Sequence, residues 1–144
     1  MIEHDTIELL RECDAGIQMG IAAIDEVKDH VGNYEFRMSL NDYQREYAQL
    51  QNEMRELLHT YHDEGKDPNP IAQGMAWLKT NMTVTFNNSD SEIADIITDG
   101  CNMGIKSLNK YLNQYKAADE NSKNFAKRLI NLEERQLEGM RQYL

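Results

Sequence analysis

Glutamate and glutamine stand three residues apart at two places in the sequence, a spacing that puts both side chains on one side of a helix. Glu46 and Gln49 form the first pair, and Glu133 and Gln136 form the second. Each pair lies on or beside a stripe of apolar residues of the kind that faces a core. Carboxylates there can bind divalent metal ions, whereas the neutral oxygen of an amide is a much weaker ligand. These four residues are the first candidates for a polar site at the centre of the fold.

Asp14 is a further polar residue on an apolar stripe, at a heptad position between Leu10 and Ile17. A carboxylate that faces the core needs a partner, because burying an isolated charge is costly. Arg135 or a tyrosine hydroxyl is the partner that we expect.

Two histidines, His59 and His62, lie three residues apart at the end of the predicted second helix. Side chains at this spacing can hold zinc or nickel together. Histidines are also common at exposed helix ends, where the C-terminal dipole favours them. We expect no functional metal site here, and these two residues are only a weak surface candidate.

The two cysteines, Cys13 and Cys101, are far apart in the sequence and form no CxxC motif. Neither has a histidine or lysine in its immediate neighbourhood to activate a thiolate nucleophile. We predict that both are buried thiols.

The most informative feature of the sequence is an internal repeat centred on glycines. GIQMGIAAI at 16–24 and GCNMGIKSL at 100–108 share the pattern G-x-x-M-G-I. Because a glycine costs a helix interior up to about 1 kcal/mol relative to alanine, the repeated glycines need an explanation. They lie four residues apart on one side of each helix, as Gly16 with Gly20 and Gly100 with Gly104.

Three explanations of these glycines stay open. The first is the close approach of another helix or of a bulky aromatic ring, for which Tyr43 and Tyr47 are suitable. The second is a pseudo-twofold centre, where a functional site would lie. The third is a small apolar ligand in a pocket between the two glycine faces.

Apolar spacings of three and four predict that nearly the whole chain is helical. The first helix is expected from a capping box at Asp5 and Glu8 to an end at Gly32-Asn33. Further helices are expected at about 36–61, at 70–86, from a cap at Ser89 to 115, and from 125 to near the end. Two long hairpins must bury their stripes against each other. This predicts an all-α, single-domain four-helix bundle of two antiparallel hairpins over 1–144, with a short helix in the crossover.

The formal net charge of −10 disfavours nucleic acid and anionic membrane surfaces as partners. No apolar run has the length that a bilayer requires. MIEHDTIELL at the start lacks the basic residues and apolar block of a signal peptide. We therefore expect a cytoplasmic protein with no nucleic-acid or membrane partner.

These features resemble the ferritin-like superfamily, and within it a group of small bacterial four-helix-bundle proteins. The resemblance rests on the two G-x-x-M-G-I segments, on Trp77 in the short helix and on ERQLEGM at 134–140. It implies a ferritin-like bundle. Active members of the superfamily bind two metal ions through a carboxylate from the first and fourth helices and Glu-x-x-His from the other two.

The metal-ligand positions that the resemblance implies carry amides in this chain. The positions on the first and fourth helices fall near Gln18 and Asn102. Gln49 and Gln136 stand where each imidazole would be. Because amides are weak ligands for redox-active metals, we expect the di-iron site to be absent and the polar groups to hydrogen-bond one another.

We therefore expect a non-catalytic helical bundle with a structural or protein-interaction role and no cofactor. The alternative is a carboxylate-bundle protein that binds iron or manganese at a rearranged site with Asp14 or Asp99. Trp77, Leu58 and Leu144 flank the main apolar stripes and suggest a homodimer through one hairpin face. The sequence specifies no other protein partner.

Overall fold

The computed structural model describes residues 2–63, 68–84 and 89–144, and the secondary structure in these ranges is helical. This confirms the all-α prediction. The helices are α1 (Ile2–Val27), α2 (Tyr34–Thr60), α3 (Pro68–Val84), α4 (Asp90–Gln114) and α5 (Glu120–Met140). Short 3-10 turns follow α1 at Lys28–His30 and α5 at Arg141–Tyr143.

Side chains that cap the backbone fix where three helices begin. Asn33 accepts a hydrogen bond from the Phe36 amide at the start of α2, and Asp119 does the same for Ser122 at the start of α5. Ser89 caps α4 through the Glu92 amide, as predicted. Asn33 therefore begins α2 rather than ending α1, which gives way to a 3-10 turn after Val27.

The prediction that Asp5 caps the first helix is wrong, because α1 already begins at Ile2. The Asp5 carboxylate instead accepts a hydrogen bond of 2.9 Å from the Ala117 amide. The neighbouring Thr6 hydroxyl accepts one of 2.8 Å from the Asp119 amide. These two side chains fasten the start of α1 to the connection between α4 and α5.

Contacts between helix ends define the directions of the four longer helices. Asp90 accepts hydrogen bonds from the Gly32 and Asn33 amides, so α4 begins where α1 ends. The Thr6 contact with Asp119 shows that α5 begins where α1 begins. Arg11 near the start of α1 donates to Asp63 just beyond α2, at 2.9 Å from Nε. Thus α1 runs antiparallel to α2 and α4 and in the same direction as α5, with α3 packed on α1 and α4.

The apolar stripes of all five helices meet in one core. The stripe of α2 runs through Phe36, Leu40, Tyr47, Leu50, Met54 and Leu58. At the far end of the core the Phe36 ring stacks on Tyr143, with 4.2 Å between ring centroids. This packing holds α1, α2, α4 and α5 together along their length.

Two of the three residues that suggested a homodimer are not exposed apolar groups. Leu58 is 3% exposed and belongs to the core. Trp77 is half-buried and packs against the core. Leu144 remains, at 55% exposed. The face that the sequence suggested for self-association is therefore largely used within the chain.

No helix in the part of the chain that the structure describes is long and apolar enough to cross a membrane.

Candidate functional site

The two glycine segments line the same cavity, which has a volume of about 340 Å³ and is open to the surface. All five helices contribute to its wall. The glycines that line it are Gly16 and Gly20 of α1, Gly74 of α3, and Gly100 and Gly104 of α4. Apolar side chains such as Ile24, Trp77 and Leu108 form most of the remaining wall. Because Met103 lines the cavity and is 50% exposed, the cavity reaches the surface near this residue.

The repeated glycines of α1 have unequal surroundings. A Cβ atom at Gly20 would lie 2.8 Å from the Tyr47 ring, which confirms the prediction that a tyrosine packs there. A Cβ at Gly16 would meet only Leu129, at an ordinary contact distance of 3.5 Å. Tyr43, the other predicted occupant, instead lies against Gly139 of α5. Gly20 is thus required for packing, whereas Gly16 is not.

This difference predicts opposite effects of the same substitution at two positions of α1. Gly16→Ala should stabilise the protein by up to about 1 kcal/mol, because alanine favours the helix and its Cβ has room. Gly20→Ala should destabilise it by about 1–3 kcal/mol, because the Tyr47 ring is fully buried and would have to move. Urea unfolding of the two variants, each serving as the other's control, measures both changes. Equal shifts in the same direction would contradict the packing described here.

The glycines of α4 differ from each other in the same way. A Cβ at Gly104 would collide with the carboxylate of Glu133, whose Cδ lies 2.9 Å away. At Gly100 no atom of the described residues outside its own helix lies within 4 Å of the Cβ position. Close packing therefore accounts for Gly104 but leaves Gly100 unexplained, since Gly100 faces the open space of the cavity.

A third glycine contact lies on α3 and was not anticipated from the sequence. A Cβ at Gly74 would lie 2.8 Å from the sulfur of Met19, which is the methionine of the first G-x-x-M-G-I segment. The signal that could have found it is a glycine in the interior of a predicted helix, four residues from Leu78 on the apolar stripe.

Three polar side chains from α2 and α5 lie in the wall of the cavity. The Tyr47 hydroxyl donates a hydrogen bond of 2.8 Å to the amide oxygen of Gln136, which is 3% exposed. Glu133 is 7% exposed and also lines the cavity. Its Oε2 has no hydrogen-bond partner in the part of the chain that the structure describes. The prediction that Glu133 and Gln136 lie in the interior is therefore met.

Burial dominates the electrostatics around Glu133. It raises the pKa of the Glu133 carboxyl to about 8, so this acid is mostly protonated at neutral pH. Burial also raises the pKa of Tyr47 well above its ordinary value, and the charge of Glu133 adds to the effect. A protonated carboxyl can donate a hydrogen bond, whereas an ionised one needs a cation or strong donors.

Both cysteines are buried, as predicted, and neither forms a disulfide. Cys101 lines the cavity, where burial and then the Glu133 charge raise the pKa of its thiol to about 12. The same causes, in the same order, raise the pKa of the Cys13 thiol. At neutral pH both are unreactive thiols rather than nucleophiles.

Asp14 and Gln18 form a pair of their own on α1. Asp14 is buried, and the Gln18 amide donates a hydrogen bond of 2.8 Å to its carboxylate. Of the two partners expected for Asp14, Arg135 or a tyrosine hydroxyl, Arg135 is not the partner, because its guanidinium lies on Glu46, 3.0 Å from Oε1. Gln18, one turn along the same helix, is a partner that was not anticipated from the sequence.

Three residues predicted for the bundle centre lie outside it. Glu46 is partly exposed and Gln49 is exposed, and both line a surface groove of about 540 Å³ between α2 and α5. Asn102 is also exposed. In each helix the adjacent residue takes the interior position, Tyr47 in α2 and Cys101 in α4. One residue corresponds to a rotation of about 100° around a helix, which is enough to exchange inside and outside.

The histidine pair does not share a helix face. His59 is in α2, but His62 lies beyond its last residue, Thr60, with a φ of 56° in the left-handed region. Both side chains are exposed. More widely, over 2–63, 68–84 and 89–144 no three or more His, Cys, Asp or Glu side chains are grouped closely enough to hold a metal ion.

Comparison of the chain with protein-family models, with curated proteins and with solved structures gives no match. The residues of the site itself therefore indicate its chemistry. The cavity offers a largely apolar wall, an opening near Met103 and one buried acid with an available oxygen. Such a combination suits binding of a small molecule with an apolar body and one polar group.

Proposed function

We propose that this protein is a ligand-binding helical bundle of the ferritin-like type, in which the cavity holds a small, mainly apolar molecule. The directions of α1, α2, α4 and α5, with α3 along α1 and α4, support the bundle assignment. The site replaces a metal centre in this proposal, and the protein acts by binding rather than by catalysis.

The observation that carries this proposal is the open space at Gly100. A glycine inside a helix lowers stability by up to about 1 kcal/mol, and close packing of a neighbour commonly accounts for it. At Gly100 no such neighbour lies within 4 Å in the part of the chain that the structure describes, and the glycine lines the cavity instead. In this proposal the ligand occupies the space that a side chain at position 100 would fill.

The volume of the cavity sets the size of that molecule. An apolar cavity of about 150 Å³ takes a benzene ring. At about 340 Å³ this cavity takes a molecule with on the order of a dozen non-hydrogen atoms. No observation favours the alternative of an iron or manganese site, since Glu46 lies in a surface groove and Glu133 in the interior.

Trp77 provides a direct readout of binding, because it is the only tryptophan in the chain and it lines the cavity. We expect 1-bromoadamantane, a neutral cage of suitable size, to quench Trp77 fluorescence through its heavy atom. Quenching should saturate at one probe per chain at micromolar concentrations. Free bromide ion at the same concentration is the control for collisional quenching. Quenching that rises linearly without saturation would overturn the proposal.

A further inference from the structure

Acidic groups line the cavity in the part of the chain that the structure describes. Glu12 in the first half of α1 and Glu133 of α5 supply carboxyl groups to its wall. None of the described residues that line it is a lysine, arginine or histidine. A ligand with a carboxylate or phosphate group would therefore find acidic groups and no basic partner.

Glu133 is the polar group best placed to meet a ligand. Its Oε2 is buried without a hydrogen-bond partner in the described ranges, whereas the oxygen of neighbouring Gln136 is already bound by Tyr47. A buried carboxyl oxygen without a partner costs free energy, which a donor on the ligand would recover. The carboxyl also packs against Gly104, where a Cβ would displace it.

Three titratable groups on other helices interact electrostatically with Glu133, and all three are weak acids. They are Cys13 from α1, Tyr47 from α2 and Cys101 from α4, and all three have a raised pKa. The described residues of α3 that line the cavity, Gly74, Trp77 and Leu78, carry no titratable group. No cation among the described residues of the wall therefore competes for the Glu133 carboxyl.

Aromatic rings complete a setting that favours a positive charge. Trp77, Tyr47 and Tyr111 all line the cavity. The faces of such rings attract an ammonium group, and more strongly where water is excluded.

We propose that the ligand of this cavity is an organic amine, with its apolar body against the glycine faces and its protonated amino group paired with Glu133. This inference rests on the proposed function and names the chemical class of its ligand. The ion pair forms inside a largely apolar wall, where a charge-assisted hydrogen bond is stronger than one between neutral groups.

Binding of an amine should release a proton from the protein, whereas binding of a neutral molecule should not. In the free protein Glu133 is mostly protonated at pH 7, because burial raises its pKa to about 8. Pairing with an ammonium group ionises the carboxyl, and its proton passes to the buffer. An amine that arrives protonated should therefore release nearly one proton per chain at pH 7.

The test compares three molecules that share one apolar cage: adamantan-1-amine, adamantan-1-ol and adamantane-1-carboxylate. Isothermal titration calorimetry at pH 7 in two buffers of different ionisation enthalpy gives both affinity and proton release. We expect the amine to bind about tenfold or more tightly than the alcohol, and the carboxylate to bind most weakly. Only the amine should release a proton.

Two variants test whether Glu133 is the group that pairs with the amino group of the ligand. Glu133→Gln should lower the affinity for the amine by about tenfold or more and abolish the release of a proton on binding. The affinity for the alcohol should change by less than about threefold. Glu134→Gln, at an exposed position next along α5, should leave all three ligands unchanged. An alcohol that binds as tightly as the amine, or an amine that releases no proton, would overturn this inference and leave the proposed function standing. Failure of all three molecules to bind would count against both.

Discussion

Glu133→Gln is expected to keep its stability between pH 5 and pH 8, a range in which the wild-type protein should become less stable. The ordinary pKa of a glutamate is 4.5, and burial raises that of Glu133 to about 8 in the folded protein. Between these values the folded state binds one more proton than the unfolded state. The contribution of Glu133 is therefore fully present below pH 4.5 and is lost as the pH rises through 8.

The size of this effect follows from the width of the pH window. Each pH unit within it lowers the free energy of unfolding by about 1.4 kcal/mol, so the wild type should lose on the order of 3 kcal/mol between pH 5 and 8. Glutamine has nearly the same shape and does not titrate. The variant should retain that stability.

Urea unfolding at pH 5, 6, 7 and 8 measures the difference between the two proteins. Other titrating groups affect both proteins equally and cancel in the difference. The control is Glu134→Gln, because Glu134 is exposed on the same helix. Parallel curves for wild type and Glu133→Gln would show that Glu133 ionises in the folded protein as freely as in the unfolded one.

Filling the cavity from Gly100 should stabilise the protein, and a large apolar side chain should stabilise it more than alanine does. Gly100→Ala should add up to about 1 kcal/mol through helix propensity, since its Cβ meets no atom of residues 2–63, 68–84 and 89–144 within 4 Å. Gly100→Leu and Gly100→Phe should each add a total of about 2 kcal/mol as they also bury apolar surface in the cavity. For a chain of this length, 2 kcal/mol corresponds to a rise in Tm of about 4–8 °C.

Thermal unfolding of the series checks this expectation. Gly16→Ala is the matched control, because it gains helix propensity while its Cβ meets Leu129. Gly100→Ala should match this control, and Gly100→Leu and Gly100→Phe should both exceed it. A Gly100→Leu protein less stable than the wild type would mean that the space at Gly100 is not available to a side chain.

The sequence was sufficient to predict the helices and much of the core because apolar spacing is a local property. The stripe of α2 from Phe36 to Leu58, and the cap at Ser89, are read directly from neighbouring residues. Glu133 and Gln136 were also identified correctly as interior residues. Gln136 lies four residues after Leu132 and four before Met140, so it falls within the buried stripe of α5.

Errors in the predicted site come from residues at the edge of a stripe. Glu46 and Tyr47 are neighbours, as are Asn102 and Cys101, and in each pair helical spacing alone allows either residue to face inward. The structure buries Tyr47 and Cys101, which carry more apolar surface. Their burial determines that the neighbouring polar residue faces outward.

Other features depended on contacts between distant parts of the chain. Asp5 has the local pattern of a helix cap, but its hydrogen bond is to Ala117, 112 residues away. The two G-x-x-M-G-I segments are alike in sequence, yet Gly20 faces a tyrosine ring and Gly104 faces a glutamate. These neighbours come from α2 and α5, so the repeat by itself could not show which of its glycines pack and which line a cavity.

The most direct test of ligand binding in the cavity is the 1-bromoadamantane titration of Trp77 fluorescence, repeated across the Gly100 series. We predict that the affinity falls from wild type through Gly100→Ala to Gly100→Leu and is lost in Gly100→Phe, while each variant stays folded. The control is Glu134→Gln, an exposed position of α5 outside the cavity wall, which should bind as the wild type does. A folded Gly100→Phe protein that binds the probe with wild-type affinity would contradict a ligand site in this cavity.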